Sequence, residues 1–288
     1  GERPLAHAMH SSPPTLRTSL QDWLAHIERL HAQPIELGLG RVLAVQCALG
    51  VAQGVPVITV GGTNGKGSTC AMLERILLSA GYRVGLYTSP HLLDYNERVR
   101  IDGRSTSNEA LCESFAKVEA ARGDTPLTYF EFGTLAAWQA FSTAGVEAVI
   151  LEVGLGGRLD AVNAIDADCA IVTSIDLDHM DYLGNTREAI GFEKAGIFRA
   201  RRPAIVGDAK PPQSLLDHAR SIATDLQVQG KDFGYMAEQG QWSWWGRRGR
   251  RGGLAYPALR GAIQLANAST AIAGLEALAD RLPVSMQD

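Results

Sequence analysis

Short apolar, β-branched runs alternate along this chain with longer stretches whose apolar residues recur at helical spacing. The runs at 57–60, 83–88, 148–153, 169–175 and 203–206 predict strands, and the stretches at 68–80, 108–122, 130–144 and 186–198 predict helices. Such alternation implies an α/β fold with a mainly parallel sheet and helices on both faces. The near-continuous run Ala148-Val149-Ile150-Leu151-Glu152-Val153 fits a strand buried on both sides. Ligands of such sheets bind beyond the carboxyl ends of the strands, so the loops after Val60, Thr88, Val153 and Ile175 are expected to face one site.

The pattern changes after Gln227. Gln241-Trp242-Ser243-Trp244-Trp245 runs into Gly246-Arg247-Arg248-Gly249-Arg250-Arg251. Aromatics interleaved with arginines are one way to hold single-stranded nucleic acid, but no nucleic-acid fold signature accompanies them. The segment therefore reads as a small antiparallel extension near 226–258 with an arginine-rich turn. A helix over 261–281 follows it.

Composition narrows the setting. The 288 residues are 45% hydrophobic and 20% charged with a formal net charge of −4, which is ordinary for a globular protein and gives no reason to expect nucleic acid as a partner. No apolar run reaches membrane-spanning length, so no membrane partner is expected. Cys47, Cys70, Cys112 and Cys169 form no Cys-x-x-Cys pair and read as reduced core residues of a cytoplasmic protein. Residues 1–15, rich in Pro, Ser and His, are expected to be a disordered lead, with one P-loop domain over 16–288.

Chemistry concentrates behind the first strand, in Gly62-Thr63-Asn64-Gly65-Lys66-Gly67-Ser68-Thr69. Glycines let several N–H groups converge on one point, the helix behind them offers the positive end of its dipole, and Lys66 adds a full charge. That is a triphosphate site. It departs from the usual loop, because Val60 stands where the first glycine would be and Gly67 delays the hydroxyls to Ser68 and Thr69. Glu152 ends a buried strand, where a carboxylate is costly without a partner and is well placed to hold Mg²⁺ beside ATP. Asp176-Leu177-Asp178-His179-Met180-Asp181 places one histidine among three aspartates, either as a metal or phosphate site or as a hydrogen-bonded structural histidine. Lys194, in Glu193-Lys194-Ala195-Gly196-Ile197-Phe198, is by default a solvated lysine or a partner of Glu193.

Taken in order, these segments resemble the folate branch of the Mur ligase superfamily, the dihydrofolate synthase/folylpolyglutamate synthases, over nearly the whole chain. The matching pieces are Ile35-Glu36-Leu37-Gly38-Leu39, the phosphate loop, Thr88-Ser89-Pro90-His91-Leu92, Glu97-Arg98-Val99-Arg100, Leu127-Thr128-Tyr129-Phe130-Glu131-Phe132-Gly133-Thr134, Leu151 through Asp160, Asp178-His179 and Glu193-Lys194-Ala195-Gly196-Ile197. Glu36 stands where the family usually has aspartate and keeps the carboxylate on a longer arm.

The resemblance implies ATP-dependent ligation of L-glutamate to dihydropteroate and to folate glutamates through an acyl phosphate. It implies that Thr63, Asn64, Gly65, Lys66, Gly67 and Ser68 hold the ATP phosphates and that Asn267 contacts adenine. Ser89 and Glu152 would bind one Mg²⁺, with His179 at a second Mg²⁺ site, and Lys194 would be a CO₂-derived carbamate that serves as a metal ligand. The pterin substrate would meet Pro34, Ile35, Glu36, Thr128, Tyr129, Phe130, Glu131, Leu159, Asp160 and Ala161. It further implies a second, smaller domain that binds glutamate. The expectation is that this domain is missing from the chain, so that the chain supplies the ATP and pterin half of the site as a monomer and does not ligate by itself. The rivals are another Mur-type amide ligase, against which Thr128-Tyr129-Phe130 and Thr88-Ser89-Pro90-His91 argue, and a non-catalytic nucleotide-binding module, against which Lys66, Glu152 and His179 argue.

Overall fold

The computed structural model describes residues 14, 15, 18–285, 287 and 288. The lead expected over 1–15 lies outside the described residues apart from Pro14 and Thr15. Two helices, α1 (Leu20–Arg29) and α2 (Gly40–Leu49), precede the first strand, β1 (Val57–Gly61). Then come α3 (Lys66–Ser79), β2 (Val84–Tyr87), a short antiparallel pair β3 (Val99–Ile101) and β4 (Arg104–Ser105), and the helices α4 (Asn108–Arg122) and α5 (Tyr129–Ala144). The chain continues through β5 (Ala148–Glu152), β6 (Cys169–Val172), α6 (Met180–Leu183), α7 (Arg187–Ala195), β7 (Pro203–Val206), α8 (Gln213–Ser221) and β8 (Asp225–Val228). Last are β9 (Gly234–Ala237), β10 (Trp242–Gly246), β11 (Gly249–Leu254) and α9 (Ala262–Ala277).

The main sheet has eight strands in the order β4-β3-β2-β5-β1-β6-β7-β8. From β2 to β8 every pairing is parallel, and β3 and β4 close one edge antiparallel. β1 is central, paired with β5 through Val60↔Glu152 and with β6 through Gly61↔Val172. Strand alternation divides the core in two. Val57, Val149 and Leu151 face one cluster with Trp23, Phe115, Phe132 and Phe141, under α1, α2, α4 and α5. Ile58, Val60 and Ile150 face the other with Leu73 and Leu77 of α3, Leu265 and Leu275 of α9, and Trp242 and Trp244 of the small sheet. Gly85 marks how tightly β2 meets α5: a Cβ there would lie 2.6 Å from the Phe141 ring.

The expected antiparallel extension exists as the three-stranded sheet β11-β10-β9, but it begins later than 226. Residues 225–228 pair parallel with β7 instead, as the edge strand β8. The tryptophans explain the extension better than nucleic acid does. Trp242 and Trp244 are buried in the core, their indole N–H groups donating to the carbonyls of Ala255 (2.9 Å) and Ser269 (3.1 Å), so neither ring is free to stack on a base. Cys70, Cys112 and Cys169 are buried as expected, and Cys47 is exposed on α2. No helix among the described residues is long and apolar enough to cross a membrane.

Candidate active site

The four expected loops do meet at the carboxyl end of the sheet. Leaving β1, the chain takes a positive φ at Gly62 (+135°) and again at Gly65 (+87°), the residue that caps α3. Gly62 is also a matter of space, because a Cβ there would lie 1.9 Å from Thr173 Oγ1. The loop is strapped to the segment that follows β6. The amides of Thr63 and Asn64 donate to Ser174 O (2.9 Å) and Ser174 Oγ (3.0 Å), and the Thr173 and Ser174 hydroxyls donate to Asn64 O (2.6 and 3.1 Å). Thr63 Oγ1 accepts from the Asp176 amide at 2.9 Å and donates to the Asp176 carbonyl at 3.1 Å. Thr63 and Asn64 thus spend their amides holding the loop in shape. The amides of residues 65–68, at the first turn of α3, have no intrahelical partner and stay available to an anion. The hydroxyl of Thr69, one residue beyond Ser68, is buried without a hydrogen-bond partner.

Glu152 closes β5 opposite this turn. It is 6% exposed, and a Cβ on Gly67 would come within 3.9 Å of its Oε2. Burial lifts its carboxyl to about 7, against the pull of Lys66 and of the nearby Ser89 amide. Lys194, in the last turn of α7, is 2% exposed, and burial together with the nearby charge of Lys66 lowers its amine to about 8, while Asp178 opposes the shift. The pairing with Glu193 does not form. That carboxylate takes a two-pronged hydrogen bond from Arg158, at 3.1 and 3.0 Å, and α7 carries Lys194 inward. His179 adopts a left-handed backbone (φ +45°), stands half-exposed and lies 3.4 Å from Asp178 Oδ1. Among the described residues no three His, Cys, Asp or Glu side chains converge as a metal cluster. Glu152, Ser89, Asp178 and His179 bring oxygen and nitrogen donors to this end of the sheet, and Lys194 becomes a donor only if its charge is removed.

A cavity of about 270 Å³ adjoins these groups. Nine of the ten residues expected at the pterin line it: Pro34, Ile35, Glu36, Thr128, Phe130, Glu131, Leu159, Asp160 and Ala161, together with Ser89 and His179. Its aromatic floor is Phe130, stacked on Tyr87 at 5.8 Å and 26°. Tyr129 is the tenth and does not line it. It begins α5 one residue before Phe130, and a helical step of about 100° turns the two rings to different sides. The Tyr129 ring lies edge-on to Tyr95 at 5.9 Å and beneath the Arg98 guanidinium at 5.5 Å.

The carboxylates of the cavity are engaged with the protein itself. Glu131 completes a capping box with Thr128 and receives Arg41 through both oxygens at 3.0 and 2.9 Å. Glu36 meets Arg41 at 3.2 Å and also His31. Asp160 accepts the amides of Gly154 (3.2 Å), Leu155 (2.8 Å) and Val162 (3.1 Å), which shapes the loop after β5; burial nonetheless raises its carboxyl to about 6. Asn267 lies on α9 against the phosphate loop, its Oδ1 only 2.6 Å from where a Gly65 Cβ would stand, and its buried Nδ2 has no partner.

Three contributors carried no signal of their own in the sequence. Arg41 meets Glu131 across 90 positions, a pairing that only the packing of α2 on α5 creates. Thr173 and Ser174 were read as the end of a strand, although β6 stops at Val172 and frees them to brace the loop. Arg98 sat inside the motif Glu97-Arg98-Val99-Arg100 without a role, and it lines the cavity.

Comparison with known proteins agrees with this geometry. The family model of the Mur ligase middle domain matches residues 60–223. The dihydrofolate synthase/folylpolyglutamate synthase of Escherichia coli (strain K12) is 49% identical over 265 residues, covering 92% of this chain and 62% of that protein. E. coli FolC in complex with DHPP and ADP superimposes with a TM-score of 0.90 at 49% identity, over 95% of this chain and 65% of that one. A bifunctional folylpolyglutamate synthase/dihydrofolate synthase with Mn, AMPPNP and L-glutamate bound gives a TM-score of 0.86 at 49% identity, over 94% of this chain and 64% of that one. The chain spans somewhat less than two thirds of the length of these relatives. It belongs to the Mur ligase family, in the branch of the dihydrofolate synthase/folylpolyglutamate synthases.

Proposed function

We propose that this chain forms the ATP-, metal- and pterin-binding half of a ligase that joins L-glutamate to dihydropteroate and to folate glutamates. The observation that carries the reading is the junction at Ser89: the residue lines the aromatic-floored cavity, and its backbone faces Glu152, which lies against Gly67 in the first turn of α3. A carboxylic acid seated in the cavity therefore has a triphosphate site at one end. The relatives solved with DHPP and ADP, and with Mn, AMPPNP and L-glutamate, support the same assignment.

Each group then has a physical task. Lys66 and the free amides of residues 65–68 neutralise and orient phosphate oxygens, while Asn267 offers its unpartnered Nδ2 beside the same loop. Phe130 carries the flat heteroaromatic ring, and the apolar edges of Ile35, Leu159 and Ala161 exclude water from it. Glu152 fits a divalent cation on its own chemistry, being a buried carboxylate with no ion-pair partner among the described residues and a proton affinity raised for want of one. Ser89, Glu152 and His179 would hold Mg²⁺, which supplies neutralisation of the repulsion between an anionic carboxylate and a triphosphate.

Lys194 fits the same picture as a carbamate. With its amine lowered to about 8, roughly one side chain in ten is neutral near pH 7, enough to attack CO₂; the N–C bond forms, a proton leaves, and a cation becomes an oxygen ligand. The setting in the cytoplasm, supplied with ATP and glutamate, belongs to this reading.

Dihydropteroate added with Mg²⁺ and ATP is expected to raise the melting temperature by several degrees, and a UDP-muramyl substrate to leave it unchanged; the reverse result contradicts the folate reading. In ¹³C-bicarbonate the wild-type protein is expected to show a labelled carbamate resonance that Lys194→Arg lacks, and persistence of that signal in the variant removes the carbamate from this residue.

Stability should also depend on pH. The Glu152 carboxyl rises from its ordinary 4.5 to about 7 on folding, so its contribution is complete below 4.5 and is lost as the pH rises through about 7. Asp160 acts in the same sense between 3.8 and about 6. Without metal, thermal stability should fall between pH 5 and pH 8, and Glu152→Gln should flatten that fall by up to about 3 kcal/mol. Equal slopes in chemical denaturation of wild type and variant would falsify the assignment of the raised proton affinity to Glu152.

A further inference from the structure

We infer that Arg98 is the residue that receives the carboxylate of the pteroyl substrate, an assignment that rests on the folate reading and goes beyond it. The charges on the cavity wall lead to this. Glu131 and Glu36 are neutralised by Arg41, with His31 also on Glu36, and Asp160 is occupied by three backbone amides. His179 has Asp178 beside it. Arg98 is a permanent cation on the same wall, and among the described residues no carboxylate lies within ion-pair distance of it. Its neighbour Glu97 is turned away, accepting the amides of Leu92, Leu93 and Asp94 at 2.9, 2.8 and 2.7 Å. A cavity whose acids are all satisfied internally and whose arginine is not is complementary to an anion.

Arg98 is also held ready. Its guanidinium lies over the Tyr95 ring at 5.3 Å and the Tyr129 ring at 5.5 Å, and its Nε donates to His91 Nδ1 at 2.8 Å. These contacts fix the plane of the group by its edge and faces. The two terminal nitrogens, Nη1 and Nη2, donate to no protein acceptor within the described residues, which leaves the fork that suits a carboxylate in two-pronged geometry. Because the orienting contacts already exist, little side-chain entropy is lost when the anion arrives.

The position along the chain agrees. Arg98 ends the short turn Tyr95–Arg98 that leads into β3, and its carbonyl accepts the Thr88 amide at 2.9 Å, which ties it to the strand end that carries Ser89. Arg98, Ser89 and Pro90 therefore form one side of the cavity, and Phe130 is its floor. A flat ring on Phe130 with a carboxylate against Arg98 places that carboxylate on the side of the cavity that adjoins Glu152. The same contact explains Tyr129: its task is to carry Arg98 and not to touch the ring of the substrate.

Isothermal titration calorimetry on the whole chain tests the assignment, with pteroate and its carboxamide as probes and with wild type, Arg98→Gln and Arg98→Lys as proteins. In Arg98→Gln the affinity for pteroate should fall roughly 10- to 100-fold, as befits a lost charge-assisted pair, while the carboxamide binds within about twofold of wild type. Arg98→Lys should recover part of the loss for pteroate alone. An equal loss for both probes makes Arg98 a structural residue and overturns the assignment, as does unchanged binding of pteroate in Arg98→Gln. Wild type that binds neither probe overturns the folate reading as well, so the two failures are distinguishable.

Discussion

The phosphate loop is held open by a strap of hydrogen bonds from the segment behind β6, and the rest of the site depends on that strap. The Thr173 hydroxyl occupies the space that a side chain at position 62 would need and donates to Asn64 O at 2.6 Å. Gly62 and Gly65 supply the two positive-φ turns that let the loop double back onto α3. With Thr63 and Asn64 tied to Ser174 and Asp176, the loop cannot collapse onto its own amides, and the first turn of α3 keeps its donors unspent. Thr173 and Ser174 follow directly on β6, the partner of β1, so the sheet register itself fixes where the strap lies.

Around this frame the fold buries charge without cancelling it. Glu152 and Lys194 are nearly inaccessible, and neither has an ion-pair partner among the described residues, whereas Arg158–Glu193, Arg41–Glu131 and Arg100–Glu74 nearby are all paired. Leaving a buried charge uncompensated costs several kcal/mol, a cost that natural cores avoid unless a ligand is to supply the compensation. The proton affinities of the two groups move toward neutrality for that reason, and they do so in opposite senses, the acid up to about 7 and the amine down to about 8.

Much of this was legible in the sequence because burial on both faces leaves a plain signature. Val57 to Val60 and Ala148 to Leu151 are apolar at every position except Thr59, and the strands fall where those runs do. Elements without that signature escaped. β8 carries Asp225 and Gln227, β3 and β4 are three and two residues long, and α2 lacks a side-chain cap at its N-terminus. In the site, Lys66, Glu152 and Lys194 stand out in the sequence because glycines, a strand end and a motif mark them. Arg41 and the isolation of Arg98 were not, because both depend on which acids the packing of α2 and α5 has already satisfied. Tyr129 stands off the cavity lining for a simpler reason: neighbours on a helix face different ways, and a motif does not say which one faces a cavity.

On the function proposed above, Glu152 is an acid built for a cation beside the phosphate loop. Calorimetric titration of ATP into the chain, with and without Mg²⁺ and in wild type and Glu152→Gln, tests it most directly. Mg²⁺ should tighten ATP binding to wild type at least about tenfold, and Glu152→Gln should remove most of that gain while leaving metal-free binding unchanged or slightly improved. The same Mg²⁺ enhancement in both proteins would contradict it.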